Sequence, residues 1–253
     1  MADTARFDLS PTTDDRPFVA QMGLWRNLNR ESLKKTSQWA EFFSGFPLSR
    51  LIVATILGVV LVLAVPATLL PYLRRGPRLG GNAWLYFFLI GMAFMAVEVA
   101  LIQRYTLLIG ASVYSIGTVL FTLLVASGIG SRFSRQFPSR LVFPAIAVWL
   151  ILEVLILGRV AGGLAGWGQP GRILAAVLML APLGFFMGMP FPKGVLRVGD
   201  LADWGFAVNG VASVLGATGI LFVAFSLGIS AALLVGAGLY LLAGATLSTR
   251  RGW

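Results

Sequence analysis

Residues 51–73 read LIVATILGVVLVLAVPATLLPYL, a run without one charged side chain, closed by Arg74-Arg75-Gly76-Pro77-Arg78. A segment of about 20 mostly apolar residues is what an α-helix needs to cross the hydrocarbon core of a bilayer. Buried backbone in lipid must satisfy its own hydrogen bonds, which favours helices, and the run shows no two-residue alternation of a membrane β-barrel. Working outward, six further stretches have the same character: about 84–103, 112–131, 141–160, 172–189, 204–225 and 230–247. The reading is therefore an all-α integral membrane protein with about seven transmembrane helices. Residues 48–253 form the bundle and residues 1–47 an extended, interfacial N-terminal arm. A Gly-rich link, Gly162 to Gly168, is expected between the fourth and fifth spans. Pro190-Phe191-Pro192 is expected to break the chain after the fifth, with Pro182 a further interruption.

Composition agrees with this reading over the whole length. Of 253 residues, 57% are hydrophobic and only 12% charged, about half the usual soluble share. Mean hydropathy is +0.84. The chain has neither Cys nor His. That removes disulfides, thiolate and imidazole ligands, Cys nucleophiles and His general bases. No catalytic residue, cofactor or metal is expected from such a set.

The net charge of +10 is unevenly placed. Residues 1–50 hold seven Lys/Arg and six Asp/Glu, whereas residues 51–253 hold thirteen Lys/Arg against Glu98, Glu153, Asp200 and Asp203. With seven spans, one side of the membrane receives Arg74, Arg75, Arg78, Arg132, Arg135, Arg140, Lys193, Arg197, Arg250 and Arg251. The other receives Lys34, Lys35, Arg50, Arg159 and Arg172, with Arg104 at a boundary. The positive-inside rule then puts the C-terminus in the cytoplasm and the N-terminus outside. The basic excess reads as contact with anionic lipid headgroups, not nucleic acid, since no basic groove with interleaved aromatics is present. The first twenty residues lack an apolar core, so no signal peptide is expected. Ser10 to Phe18 is turn-rich, and an amphipathic interfacial helix is expected near 37–44.

Polar residues inside apolar spans are the candidate functional groups, because each is costly in lipid without a partner. Glu98 lies deep in the second span. At about 100° per residue, Gly91, Phe94, Ile102 and Tyr105 share its face, while Arg104 sits about 240° away and is poorly placed for an ion pair with it. Glu153 lies at similar depth in the fourth span, on a stripe of Ile146, Trp149, Ile156 and Val160. Either acid could lock helices through hydrogen bonds. If adjacent, the two could instead share a proton or a polyamine ammonium. Gln103 and Arg104 complete this polar set, with Asn209, which is expected to bond the backbone broken at Pro190–Pro192. Small residues mark helix packing: Gly158-x-x-x-Gly162-x-x-x-Gly166, Gly184-x-x-x-Gly188 and Ala212-x-x-x-Gly216.

Several of these pieces resemble one family. Glu98-Val-Ala-Leu-Ile-Gln-Arg104, Leu108-Ile-Gly-Ala-Ser-Val-Tyr-Ser115, Ala126-Ser-Gly-Ile-Gly-Ser131, Gly188-Met-Pro-Phe-Pro-Lys-Gly194 and Trp204-Gly-Phe-Ala-Val-Asn-Gly-Val-Ala-Ser-Val-Leu-Gly216 are similar, in the same order, to the membrane region of bacterial spermidine-synthase-like membrane proteins. Thr13-Asp-Asp-Arg-Pro-Phe18 resembles the tail that closes the soluble domain of long members. The resemblance implies a location in the bacterial inner membrane. It implies a membrane half without the Rossmann-like domain that binds an adenosyl sulfonium cofactor and transfers an aminopropyl group. The glycine-rich loop and catalytic acids of that domain have no matching positions here. A cytoplasmic soluble domain before the first span would place residue 50 inside, opposite to the charge count, which we keep.

Three functions follow as expectations. The first is a non-catalytic membrane subunit that packs against protein partners in a larger complex. The second is an anchor for a separately encoded aminopropyltransferase or methyltransferase, docked through residues 1–47. The third is a polyamine or proton transporter built on Glu98 and Glu153.

Overall fold

The computed structural model describes residues 12–17, 23–28, 46–73, 78–164 and 166–249. Among these residues there are eight α-helices and no β-strand. They are α1 (Leu48–Leu73), α2 (Gly81–Ile109), α3 (Val113–Arg132), α4 (Ser139–Leu164), α5 (Gln169–Met187), α6 (Pro190–Val198), α7 (Ala202–Leu227) and α8 (Ile229–Ser248). Each of the seven apolar stretches is a helix. Six segments have the length and apolarity of a membrane span, and one of them, Gln169–Leu227, runs through α5, α6 and α7. The span count is therefore six to seven. The expected amphipathic helix at 37–44 lies outside the described residues.

α2 is the axis of the bundle. It packs most extensively against α7, then α8, and also touches α3. α3 pairs with α5, and α8 also lies on α4. The core that results contains the fully buried Tyr86, Phe87, Leu101, Tyr105, Phe143 and Tyr240. α1 stands at the margin, packed chiefly along α7.

Glycine sets how closely these axes approach. In the α2–α7 pair the arrangement is reciprocal. A Cβ on Gly91 would land on the Asn209 backbone, and one on Gly216 would land on the Met92 backbone. In the α3–α5 pair, Gly130 abuts the Phe185 carbonyl, Gly184 meets Ala126, and Gly188, just past α5, abuts the Ser127 carbonyl. Association of apolar helices in lipid depends on such close packing, because lipid tails are as apolar as Leu.

Several expectations are corrected. Gly158, Gly162 and Gly166 join none of the described helices, since among the described residues nothing lies within 4 Å of a Cβ on any of them. The Gly-rich link is shorter than expected because α4 continues to Leu164. Pro182 does not interrupt α5, nor Pro144 α4. The break at 188–189 is brief, because Pro190 then starts α6 at its first turn, where a missing N–H costs nothing. α2 runs past Arg104 to Ile109 and stops at Gly110, whose φ of 114° closes the helix.

Candidate functional site

Contacts between loops sort the bundle into two ends. At one end Lys193 of α6 donates to the Ser134 and Phe137 carbonyls at 2.5 Å. There Tyr86 donates to the Pro190 carbonyl at 2.6 Å, Arg197 donates to the Leu247 carbonyl, and Asn82 donates to Thr249 Oγ1 at 2.9 Å. These bonds pin α6 and the α3–α4 turn against the start of α2 and the close of α8. Gly194 and Gly205 allow the fit, since a Cβ on either would strike the Phe87 ring.

The opposite end holds the most connected polar cluster. Tyr105 of α2 donates its hydroxyl to the Glu153 carboxyl of α4, 3.0 Å from each oxygen. Both residues are buried. Arg104 turns away from Glu98, as its angular offset predicts, and clamps three elements. Its Nη2 donates to the Glu153 and Val154 carbonyls at 3.2 Å, and its Nη1 to Ser230 Oγ at 3.0 Å. Asp15 lies 4.0 Å from the same nitrogen. A guanidinium suits this task because its planar fork reaches several acceptors at once. Arg104 therefore lies within a continuous helix, which runs on to Ile109.

Asp15 reaches the cluster from a turn in which Arg16 N donates to the Thr13 carbonyl at 2.8 Å. Its Oδ1 accepts from Ser230 N at 2.7 Å and its carbonyl from Ile229 N at 2.9 Å. Two of the orphan N–H groups that begin α8 are thereby satisfied. Gly228, with φ of 97°, makes the sharp entry into α8, and Asp15 occupies the place a side chain there would take.

The remaining candidates do not join this cluster. Glu98 is buried and makes no hydrogen bond among the described residues. It lies within electrostatic reach of Tyr240 on α8, whose buried hydroxyl is also unpartnered. Along α2, Glu98 is seven residues, about 10 Å, from the Tyr105 that holds Glu153. No hydrogen bond joins the two acids. Gln103 carries a buried Oε1 without a partner. Asn209 donates to the Phe87 carbonyl of α2 at 3.3 Å, not to the backbone broken near Pro190–Pro192. The α2–α7 approach that Gly91 and Gly216 permit brings that carbonyl within its reach.

Comparison with known proteins finds no matching family model, no matching curated protein and no matching solved structure.

Three residues of the clamp escape a reading by local pattern. Tyr105 meets an acid 48 positions away. Ser230 is joined to Arg104 across 126 positions and to Asp15 across 215. The one local sign is the turn-rich Thr13–Pro17 stretch, whose paired acids suit the capping of a distant helix.

Proposed function

We propose that this chain is a multi-pass subunit of the bacterial inner membrane, without a catalytic centre of its own, that packs into a larger membrane complex. The observation that carries this reading is how its polar groups are spent. Glu153, Tyr105, Arg104 and Asn209 tie α2 to α4, α7 and α8. Polar side chains used in this way stabilise a bundle in lipid and do not converge on a substrate. The unlinked positions of Glu98 and Glu153 give no support to transport by a shared carboxyl pair. Seven spans, with the cytoplasm at the end carrying Arg78, Arg132, Arg135, Arg140, Lys193 and Arg197, agree with the positive-inside rule. On this reading the C-terminus is cytoplasmic. The likeness of residues 98–216 to spermidine-synthase-like membrane regions is part of this proposal.

One observation favours a second reading, an anchor for a separately encoded aminopropyltransferase or methyltransferase. The segment resembling the tail of the soluble domain, Thr13 to Pro17, sits against Ser230 and Arg104; this reading requires that end to face the cytoplasm, the reverse of the orientation the charge count favours.

Gentle detergent extraction from native membrane, followed by sizing and mass spectrometry of what co-purifies, tests both. A defined assembly larger than one chain is expected, and a soluble Rossmann-type protein within it would select the anchor. A lone monomer would overturn the subunit reading. So would turnover of an adenosyl-sulfonium donor by the purified chain.

A further inference from the structure

Beside the Arg104 clamp lies an open cavity of about 600 Å³, lined by Asp14, Asp15, Arg104, Arg172, Leu107 and Gly158 among others. The volume is in the range of sites that hold small organic ligands, about 300–1,000 Å³. Its charges are of two kinds. Asp15 and Arg104 are engaged with each other and with Ser230. Arg172 and Asp14 are not. Arg172 donates from Nε to the Trp167 carbonyl at 3.1 Å and from Nη1 to the Leu108 carbonyl at 3.2 Å. Its Nη2 has no acceptor and its charge no counter-ion among the described residues. Asp14 is exposed and makes no hydrogen bond or ion pair there.

One cavity thus carries an uncompensated cation and an uncompensated anion that do not pair with each other. A ligand bearing one charge would leave one of them unmatched, whereas a zwitterion matches both. The rest of the lining is apolar. Leu107 is 45% exposed, Leu108 and Leu157 adjoin it, and the absent side chains of Gly158 and Gly162 leave the flank of α4 open. An acyl chain fits that flank, and a free hydrophilic zwitterion does not use it. We infer that this cavity binds the phosphoethanolamine headgroup of a phospholipid. Arg172 takes the phosphate, which suits a guanidinium, Asp14 takes the ammonium, and the lipid tail lies along Leu107, Leu157 and the Gly158–Gly162 face.

The inference rests on the membrane reading but not on the subunit reading. The full chain, stripped of lipid in detergent, is offered equal amounts of phosphatidylethanolamine and phosphatidylglycerol and read by native mass spectrometry. The ethanolamine lipid is expected to exceed the glycerol lipid about fivefold, and Arg172→Gln to lower both adducts about tenfold, the scale of one lost charge-assisted contact. Asp14→Asn should erase the preference while keeping the glycerol adduct. Gly158→Leu, placed in open space, should lower both adducts by filling the cavity. Inorganic phosphate in excess should leave the lipid bound; if it strips the lipid, a free anion is the occupant and the inference falls. Equal adducts unmoved by these variants also overturn it. Should Arg172→Gln fail to fold, Asp14→Asn, at an exposed position, decides. Loss of lipid selectivity in a chain still recovered from the membrane fraction would remove the site and leave the membrane reading standing.

Discussion

α1 and α2 are both apolar enough to cross a bilayer, and α1 is the more apolar of the two. Yet only 6% of the apolar window of α1 is buried within the chain, against 61% for α2. A hydropathy scale would rank them the wrong way round for the centre of the fold. The difference lies in the exceptions each helix contains. α2 carries Gly91 at a backbone-to-backbone approach, Glu98, Gln103 and Arg104 among apolar neighbours, and Tyr86 and Tyr105 whose hydroxyls find partners on other elements. α1 offers Gly58, where an added Cβ would meet nothing within 4 Å among the described residues. Where lipid and side chain are equally apolar, burial goes to the helix with small residues for close approach and polar groups that need partners.

That contrast can be broken at its strongest point by Gly216→Leu. The added side chain lands on the Met92 backbone at the α2–α7 crossing, and a loss of about 3 kcal/mol or more is expected from overpacking that cannot relax. Denaturant titration of the detergent-solubilised chain, followed by circular dichroism, measures it; unfolding unchanged from the native chain would mean that glycine does not set this crossing. Next in size is Tyr105→Phe, which leaves the buried Glu153 carboxyl without its donor and should cost about 1–3 kcal/mol. Combining it with Glu153→Gln in a double-mutant cycle isolates the pair, and strict additivity would show the two residues uncoupled. Asn209→Ala should cost about 0.6 kcal/mol, the average for a hydrogen bond between membrane helices. At the other pole, Gly58→Leu in α1 should change stability by less than about 0.5 kcal/mol. A large loss there would show that the flank of α1 is packed after all.

The helices were legible because span length and apolar composition are local properties. Pro190 shows where that legibility stopped. A proline after an apolar run reads as a stop, and it is one, but the same residue opens α6 because its fixed φ suits a first turn. The glycine patterns divided similarly. Gly184, Gly188 and Gly216 lie at close approaches and Gly158, Gly162 and Gly166 do not, although the spacing is the same. Spacing states that a helix has a smooth face; it does not state that another helix lies on it. Among the polar candidates, the angular offset foretold that Arg104 would not pair with Glu98. The acceptors it did find, on α4 and α8, are 49 to 126 positions away in the chain.

Taken alone, the order of residues determined that this is a bundle of long apolar helices, which few positions carry charge, and which of those positions lie within apolar runs. Each follows from what a short segment can or cannot bury. Only the packed structure decided that α2 is the centre and α1 the margin, that Tyr105 holds Glu153, and that Asp15 caps α8. It alone left Arg172 and Asp14 facing one cavity unpaired. Those are contacts between distant segments, and no local pattern contains the direction in which a side chain meets a helix folded back from elsewhere in the chain.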